Sequence, residues 1–310
     1  MIFAALTGCG GSDTGSTADI KVVATIFPIY DWVREIARDD ADIKLDLLLD
    51  NGADLHSYQP SAKDIMDISD CDVFIYVGGE SDKWVDDVIV QADNKDMIVL
   101  DLMDILGDSA KEEELKEGMQ GEEEEEEGEE EPEYDEHVWL SVRNAALFTE
   151  KIADALGQKD TQHADAFEAN AAEYIEKLNT LDFQYKEAVG SAAVKTLLFG
   201  DRFPFRYLTD DYELDYYAAF IGCSAESEAS FETVMFLADK VDELGLHAIM
   251  QIETSDGSIA RTVRDNTKTK DQEILTLDSM QNVTKEKIDA GENYLAVMES
   301  NLEVLKKALD

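Results

Sequence analysis

At 310 residues the chain has room for two domains with buried cores, and its 44% hydrophobic content is that of an ordinary globular protein. The charge is not ordinary: 26 Lys and Arg stand against 71 Asp and Glu, a net charge of −45. Such a surface repels nucleic acid and anionic lipid headgroups and concentrates cations, so nucleic-acid binding is excluded. Solubility or adaptation to salt is the competing explanation of the excess.

Three cysteines leave one over in any disulfide scheme. Cys9 accounts for it: Leu6-Thr7-Gly8-Cys9 looks like the lipobox of bacterial lipoproteins, in which the cysteine is acylated. Residues 1–19 are therefore read as a lipobox remnant and a flexible tether, Gly10 to Thr17 supplying the polar spacer. Met1 to Gly8 is short for a signal peptide and has no basic start, as expected of a truncated or misassigned start. Cys71 and Cys223 are left as a pair whose bonding the spacing does not decide.

Short apolar runs then alternate with helical patterns. Strands are expected at Lys21–Phe27, Leu45–Leu49, Asp72–Val77 and Met97–Leu100, with helices at Tyr30–Arg38, Ser61–Ile68 and Asp82–Gln91. This alternation predicts parallel βαβ units in an N-terminal α/β lobe over 20–157. Within it, segment 111–136 carries sixteen Asp or Glu against two Lys and buries little, so it is expected as a disordered acidic loop. From Thr161 to Val189 apolar residues recur at helical spacing without Pro, which predicts a long linker helix over 158–190. A second series, Thr196–Phe199, Tyr216–Phe220, Ala248–Ile252 and Ile274–Leu277, predicts a C-terminal α/β lobe over 191–310. The fold class is α/β: two lobes with parallel sheets flanked by helices, joined by one long helix, with a ligand site in the cleft.

Four histidines exist. His56, in Gly52-Ala53-Asp54-Leu55-His56-Ser57-Tyr58-Gln59-Pro60, follows a strand and precedes a helix, where open α/β sheets place ligands. His137, in Asp135-Glu136-His137-Val138-Trp139-Leu140-Ser141, opens another helix beside carboxylates able to orient its ring. His163 and His247 are read as structural. Gly52 to Asp64 resembles the G-x-x-P-H-x-Y-x-P-S-x-x-D segment of the zinc and manganese substrate-binding lipoproteins of ABC transporters. Asp135 to Ser141 is similar to their D-P-H-V-W-L segment, and Asp72 to Glu80 to their A-D-x-F strand with its glycine turn. The resemblance runs in order from about Lys21 to the C-terminus. It implies two lobes on a rigid helix, with His56 and His137 as N-lobe metal ligands.

The C-lobe departs from that pattern. Where the family has a His or Glu after the first C-lobe strand, this chain reads Gly200-Asp201-Arg202-Phe203-Pro204-Phe205. Arg202 cannot bind a cation, and a one-residue shift nominates Asp201. The fourth ligand the resemblance implies, an acid after the last strand, is Asp278, with Glu253 ranked below it. Helix capping is the competing role for both aspartates.

The function implied is extracytoplasmic capture of a divalent ion for delivery to an ABC permease, without catalysis, by a monomer held on the outer face of the cell membrane through lipid on Cys9. Two imidazoles with carboxylates favour Zn2+, and Mn2+ is the alternative cargo. A zinc-dependent hydrolase is the alternative of another class, although no H-E-x-x-H motif is present. A cell-adhesion role is compatible with either cargo.

Overall fold

The computed structural model describes residues 20–121, 133–224 and 228–310. Its first half runs β1 (Ile20–Ala24), α1 (Phe27–Ala37), β2 (Ile43–Leu47), α2 (Ala62–Asp70), β3 (Val73–Tyr76), α3 (Trp84–Gln91), β4 (Ile98–Asp101) and α4 (Leu102–Leu106). All pairings are parallel, in the order β2-β1-β3-β4. The Val73-Phe74-Ile75-Tyr76 run is buried throughout because helices cover both faces of a parallel sheet. Pro28 ends the first apolar run as a strand. It sits in the first turn of α1, where its missing N–H costs nothing, so β1 stops at Ala24 and not at Phe27.

Two antiparallel helices follow, α5 (Val142–Lys159) and α6 (Ala164–Ser191). Asp160 makes the break between them, accepting from the backbone N–H groups of Gln162 and His163. The long helix thus begins at Ala164, six residues later than expected. The second lobe runs β5 (Thr196–Phe203), α7 (Arg206–Asp211), β6 (Asp215–Ile221), α8 (Phe231–Leu244), β7 (Ala248–Ile252), α9 (Ser258–Asn266), β8 (Glu273–Leu277), α10 (Lys285–Asp289) and α11 (Tyr294–Leu309). Its order, β6-β5-β7-β8, repeats the first sheet's topology, so each lobe has a switch point between its first and third strands.

One apolar core runs from the first sheet across α6 into the second lobe. Helix α6 contributes Phe167, Tyr174, Leu178 and Tyr185 to it, and the Tyr185 hydroxyl donates to Met298 O of α11 at 2.6 Å. Helix α11 returns to the first lobe, where Tyr294 N donates to Asp31 Oδ2 at 2.8 Å. A second cluster, including Leu198, Phe220, Leu237 and Ile249, packs the C-lobe sheet against α8 and α9.

The acidic segment corrects the expectation of disorder at both ends. Residues 111–121 lie along β6, the edge strand of the second sheet: Gln120 N donates to Ala219 O at 2.9 Å, and Lys116 pairs with Asp215 at 2.5 Å. Asp135 N donates back to Lys111 O at 2.8 Å, closing the base of the excursion. Backbone pairing and ion pairs hold this stretch, with Met119 packed against the core. The segment's centre, 122–132, lies outside the described residues, as do Cys9 and the tether over 1–19. No helix among the described residues is long and apolar enough to cross a membrane.

Candidate metal centre

After β2 the chain turns at Gly52, whose φ of +76° suits glycine, and whose absent Cβ leaves room for Asn282 of the other lobe. Asp54 then caps a single 3-10 turn, Leu55–Ser57, accepting from His56 N at 3.1 Å. Ser61 and Asp64 form a capping box at α2, and Asp64 also accepts from the Tyr58 hydroxyl at 2.8 Å. The Gly52–Asp64 motif is therefore a scaffold that clamps His56 from both sides.

The glycine turn after β3 supports the same ring. Asp82 Oδ2 accepts from Val77 N and Gly78 N, which folds the turn back on itself. Gly79, at φ +81°, admits the Glu136 side chain where a Cβ would meet Oε1 at 2.4 Å. Glu136 Oε1 accepts from Ser81 N at 2.8 Å, and its Oε2 faces His56 Nδ1 at 3.4 Å. Ser81 Oγ lies 2.9 Å from the same Nδ1.

His137 is fully buried. Asp135 Oδ1 accepts from its backbone N at 2.8 Å and lies 3.0 Å from its Nδ1. The Asp135 carbonyl in turn accepts from the Tyr207 hydroxyl of α7 at 2.9 Å. The two imidazoles meet edge to edge, His56 Nε2 to His137 Nε2 at 3.1 Å. On both rings a carboxylate occupies the Nδ1 side. With those carboxylates ionised, each ring keeps its proton on Nδ1 and turns an unprotonated Nε2 toward the other.

The electrostatics favour this arrangement at His56 and, at His137, once Asp135 has ionised. Burial, His56 and Arg202 push His137 well below the usual imidazole value, which keeps it neutral. Burial lifts Asp135 to about 7. Burial works on Glu136 in the same sense, but hydrogen bonds from His56 and Ser81 outweigh it and hold the carboxyl below its ordinary range.

The C-lobe aspartates stand elsewhere. Asp201, on β5, accepts from Arg202 N at 2.9 Å and Ile252 N at 3.3 Å, and lines a cavity of about 480 Å³ with Ser224, Glu228 and Thr254. Asp278 accepts from Met280 N at 2.8 Å, capping a tight turn and not a helix. Glu253 is taken up by Ser279 N, Ser279 Oγ and Gln281 N. Arg202 crosses the cleft to Asp54 and also donates to Gln281 Oε1 of its own lobe. Among the described residues, the group of metal-ligating side chains that converges is His56, His137 and Cys223, with one ligand atom of each within 4.8 Å of the others. Neither Asp201 nor Asp278 joins it.

Cys223 is what sequence reasoning passed over. The sequence offers it only as a disulfide partner of Cys71, yet both are free thiols, and Cys71 Sγ donates to Met97 Sδ at 3.4 Å. A cysteine just past the end of a strand carries no spacing signal of its own. Ser81 was missed for the same reason. His163 and His247 hold structural positions as expected: His163 pairs with Asp160 at the α5–α6 turn, and His247 Nε2 contacts Lys307 O at 2.7 Å.

Residues 22–308 match the family described as the periplasmic component A of the zinc-uptake complex. The chain belongs to this family. In sequence it is 33% identical over 292 residues to the zinc-binding lipoprotein AdcA of Streptococcus pneumoniae, covering 94% of this chain and 56% of that protein. It is 29% identical over 315 residues to the high-affinity zinc uptake system protein ZnuA of Bacillus subtilis, covering 99% and 94%. This chain therefore spans about half the length of the AdcA relatives and nearly all of ZnuA. In structure it resembles the Zn(II)-bound ZnuA-like domain of Streptococcus pneumoniae AdcA, with TM-score 0.74, 30% identity, and 94% and 99% coverage.

Proposed function

We propose that this protein is an extracytoplasmic substrate-binding protein that captures Zn2+ between its lobes and hands it to the membrane permease of an ABC transporter. The observation that carries the proposal is the 3.1 Å separation of the two Nε2 atoms. Two imidazoles at ~2.0–2.1 Å from a tetrahedral zinc stand about 3.3 Å apart, so the pair is already set for one ion. Unprotonated nitrogens facing each other are unfavourable until a cation lies between them. His56 and His137 are the N-lobe ligands in this reading. Asp201 and Asp278 do not converge on the histidine pair, so for either to ligate as well it would have to move toward it.

The relatives named for zinc binding and zinc uptake support the choice of cargo over Mn2+, and capture over catalysis. Lipid on Cys9 would hold the protein at the outer face of the membrane, in line with the relative named a lipoprotein. Isothermal titration with Zn2+ tests the reading. His56→Ala and His137→Ala are each expected to abolish tight binding while leaving the circular dichroism spectrum unchanged; unaltered affinity in both variants would refute it.

A further inference from the structure

We propose that Cys223 supplies the C-lobe ligand, as a thiolate, to a His2Cys zinc site completed by His56 and His137. This rests on the reading that the two histidines bind the metal. It assigns the donor that the chain otherwise lacks, because Arg202 stands where a C-lobe ligand is expected and is tied to Asp54 and Gln281.

The placement of Cys223 is structural and specific. It follows β6 directly, at the carboxyl end of a C-lobe strand, so ligation by Cys223 would join the two lobes through the ion. Gly222 brings the strand end against the buried imidazole: a Cβ there would meet Cε1 and Nδ1 of His137 at 3.1 Å and Phe203 O at 2.9 Å. Any larger residue would hold the sulfur away. The backbone of Cys223 is anchored through its N–H to Glu113 Oε1 at 3.1 Å, a residue of the segment that straps the first lobe over β6. Burial and the carboxyls of Asp135, Glu113 and Glu136 push the thiol well above its ordinary value, so it meets the ion as a thiol and loses its proton on binding. The cysteine is anchored across the lobes, by its place after β6 and its bond to Glu113, at the mouth of the histidine pair.

Closing the site needs little motion. In a tetrahedral site with Zn–N near 2.0–2.1 Å and Zn–S near 2.3 Å, sulfur and nitrogen stand about 3.6 Å apart. The three donors already lie within 4.8 Å, so a shift on the order of 1 Å completes the geometry. Binding replaces the S–H bond by an S–Zn bond and releases one proton to solvent. A thiolate donor also sets the cargo: soft sulfur with two imidazoles suits Zn2+ and disfavours the hard-oxygen preference of Mn2+.

The test is titration of the metal-depleted full chain with Co2+, read in the near-ultraviolet and visible, beside Zn2+ calorimetry. The wild type is expected to show a thiolate-to-cobalt charge-transfer band with intense tetrahedral ligand-field bands. Cys71→Ser should keep the charge-transfer band and Cys223→Ser should lose it. Cys223→Ser should also lose more zinc affinity than the roughly 10–100-fold that an outer-sphere partner is worth. Wild-type cobalt binding with no charge-transfer band overturns the thiolate assignment even if Cys223→Ser fails to fold. It leaves the histidine reading intact, provided that His137→Ala still removes the metal. Cobalt and zinc binding untouched by His137→Ala, or absent altogether, sinks both.

Discussion

Asp135 does for His137 what Glu136 and Ser81 do for His56. Each fixes a ring by its Nδ1 and aims the other nitrogen at a common point. Orientation by such partners is typically worth 10–100-fold in metal affinity, so Asp135→Asn, nearly isosteric, is expected to weaken Zn2+ binding by about that factor with little change in fold. Calorimetry beside a thermal melt checks this; unchanged affinity would mean that the ring is held by packing alone. Gly79→Ala tests the opposite wall. Its Cβ would collide with Glu136 in a backbone conformation that L residues avoid, and a loss of about 1–3 kcal/mol in stability is expected by urea titration. Both histidines and their neighbouring carboxylates were legible because they sit in one contiguous motif each. Cys223, Ser81 and the Arg202–Asp54 contact were not, since each acquires its meaning only when segments far apart in the chain meet.

At the scale of elements, the strands and most helices could be read from apolar runs and their breaks, with ends displaced by a few residues. Pro28 placed in a helix, and Asp160 cutting one helical pattern into two, are local choices that periodicity alone does not resolve. The acidic segment misled for a better reason: its composition argues for disorder, but its two ends pair with each other and Gln120 bonds to the edge strand β6, which needs backbone and not apolar side chains. The junction of α1 and α11 carries a pH dependence. Asp31 is buried there, accepting from Tyr294 N, and burial lifts it to about 6 from 3.8. A carboxyl raised in the folded state contributes stability that is fully present below about pH 4 and is lost as pH rises through about 6. Keeping it ionised at neutral pH costs at most about 3 kcal/mol. Asp31→Asn, whose amide oxygen can still accept from Tyr294 N, should therefore raise Tm relative to wild type more at pH 7.5 than at pH 4.5. An equal shift at both values would contradict the assignment.

Across the whole molecule, the two sheets have the same topology but do not stand as independent bodies. The core that includes α6 and α11 is shared, and Asn51 bridges to Thr284 across the cleft. One cooperative calorimetric transition is therefore expected, with two resolved transitions counting against a common core. Zinc should stabilise the fold as the logarithm of its free concentration over Kd, by about 2.7 kcal/mol at a hundredfold excess, and raise that transition accordingly. The shared core also limits the hinge, so closure should involve local movement of donors on the order of 1 Å and leave the radius of gyration from X-ray scattering unchanged. The net charge of −45 surrounds the cleft with a field that draws cations inward, and association with Zn2+ should slow as salt screens it.

The most direct test of the central claim is zinc K-edge X-ray absorption on the zinc-loaded full chain. The account predicts scattering from two imidazoles with nitrogen at about 2.0–2.1 Å from the metal, and no zinc retained by His137→Ala after the same loading and buffer exchange. A shell of oxygen donors with no imidazole contribution, unchanged in that variant, would contradict it.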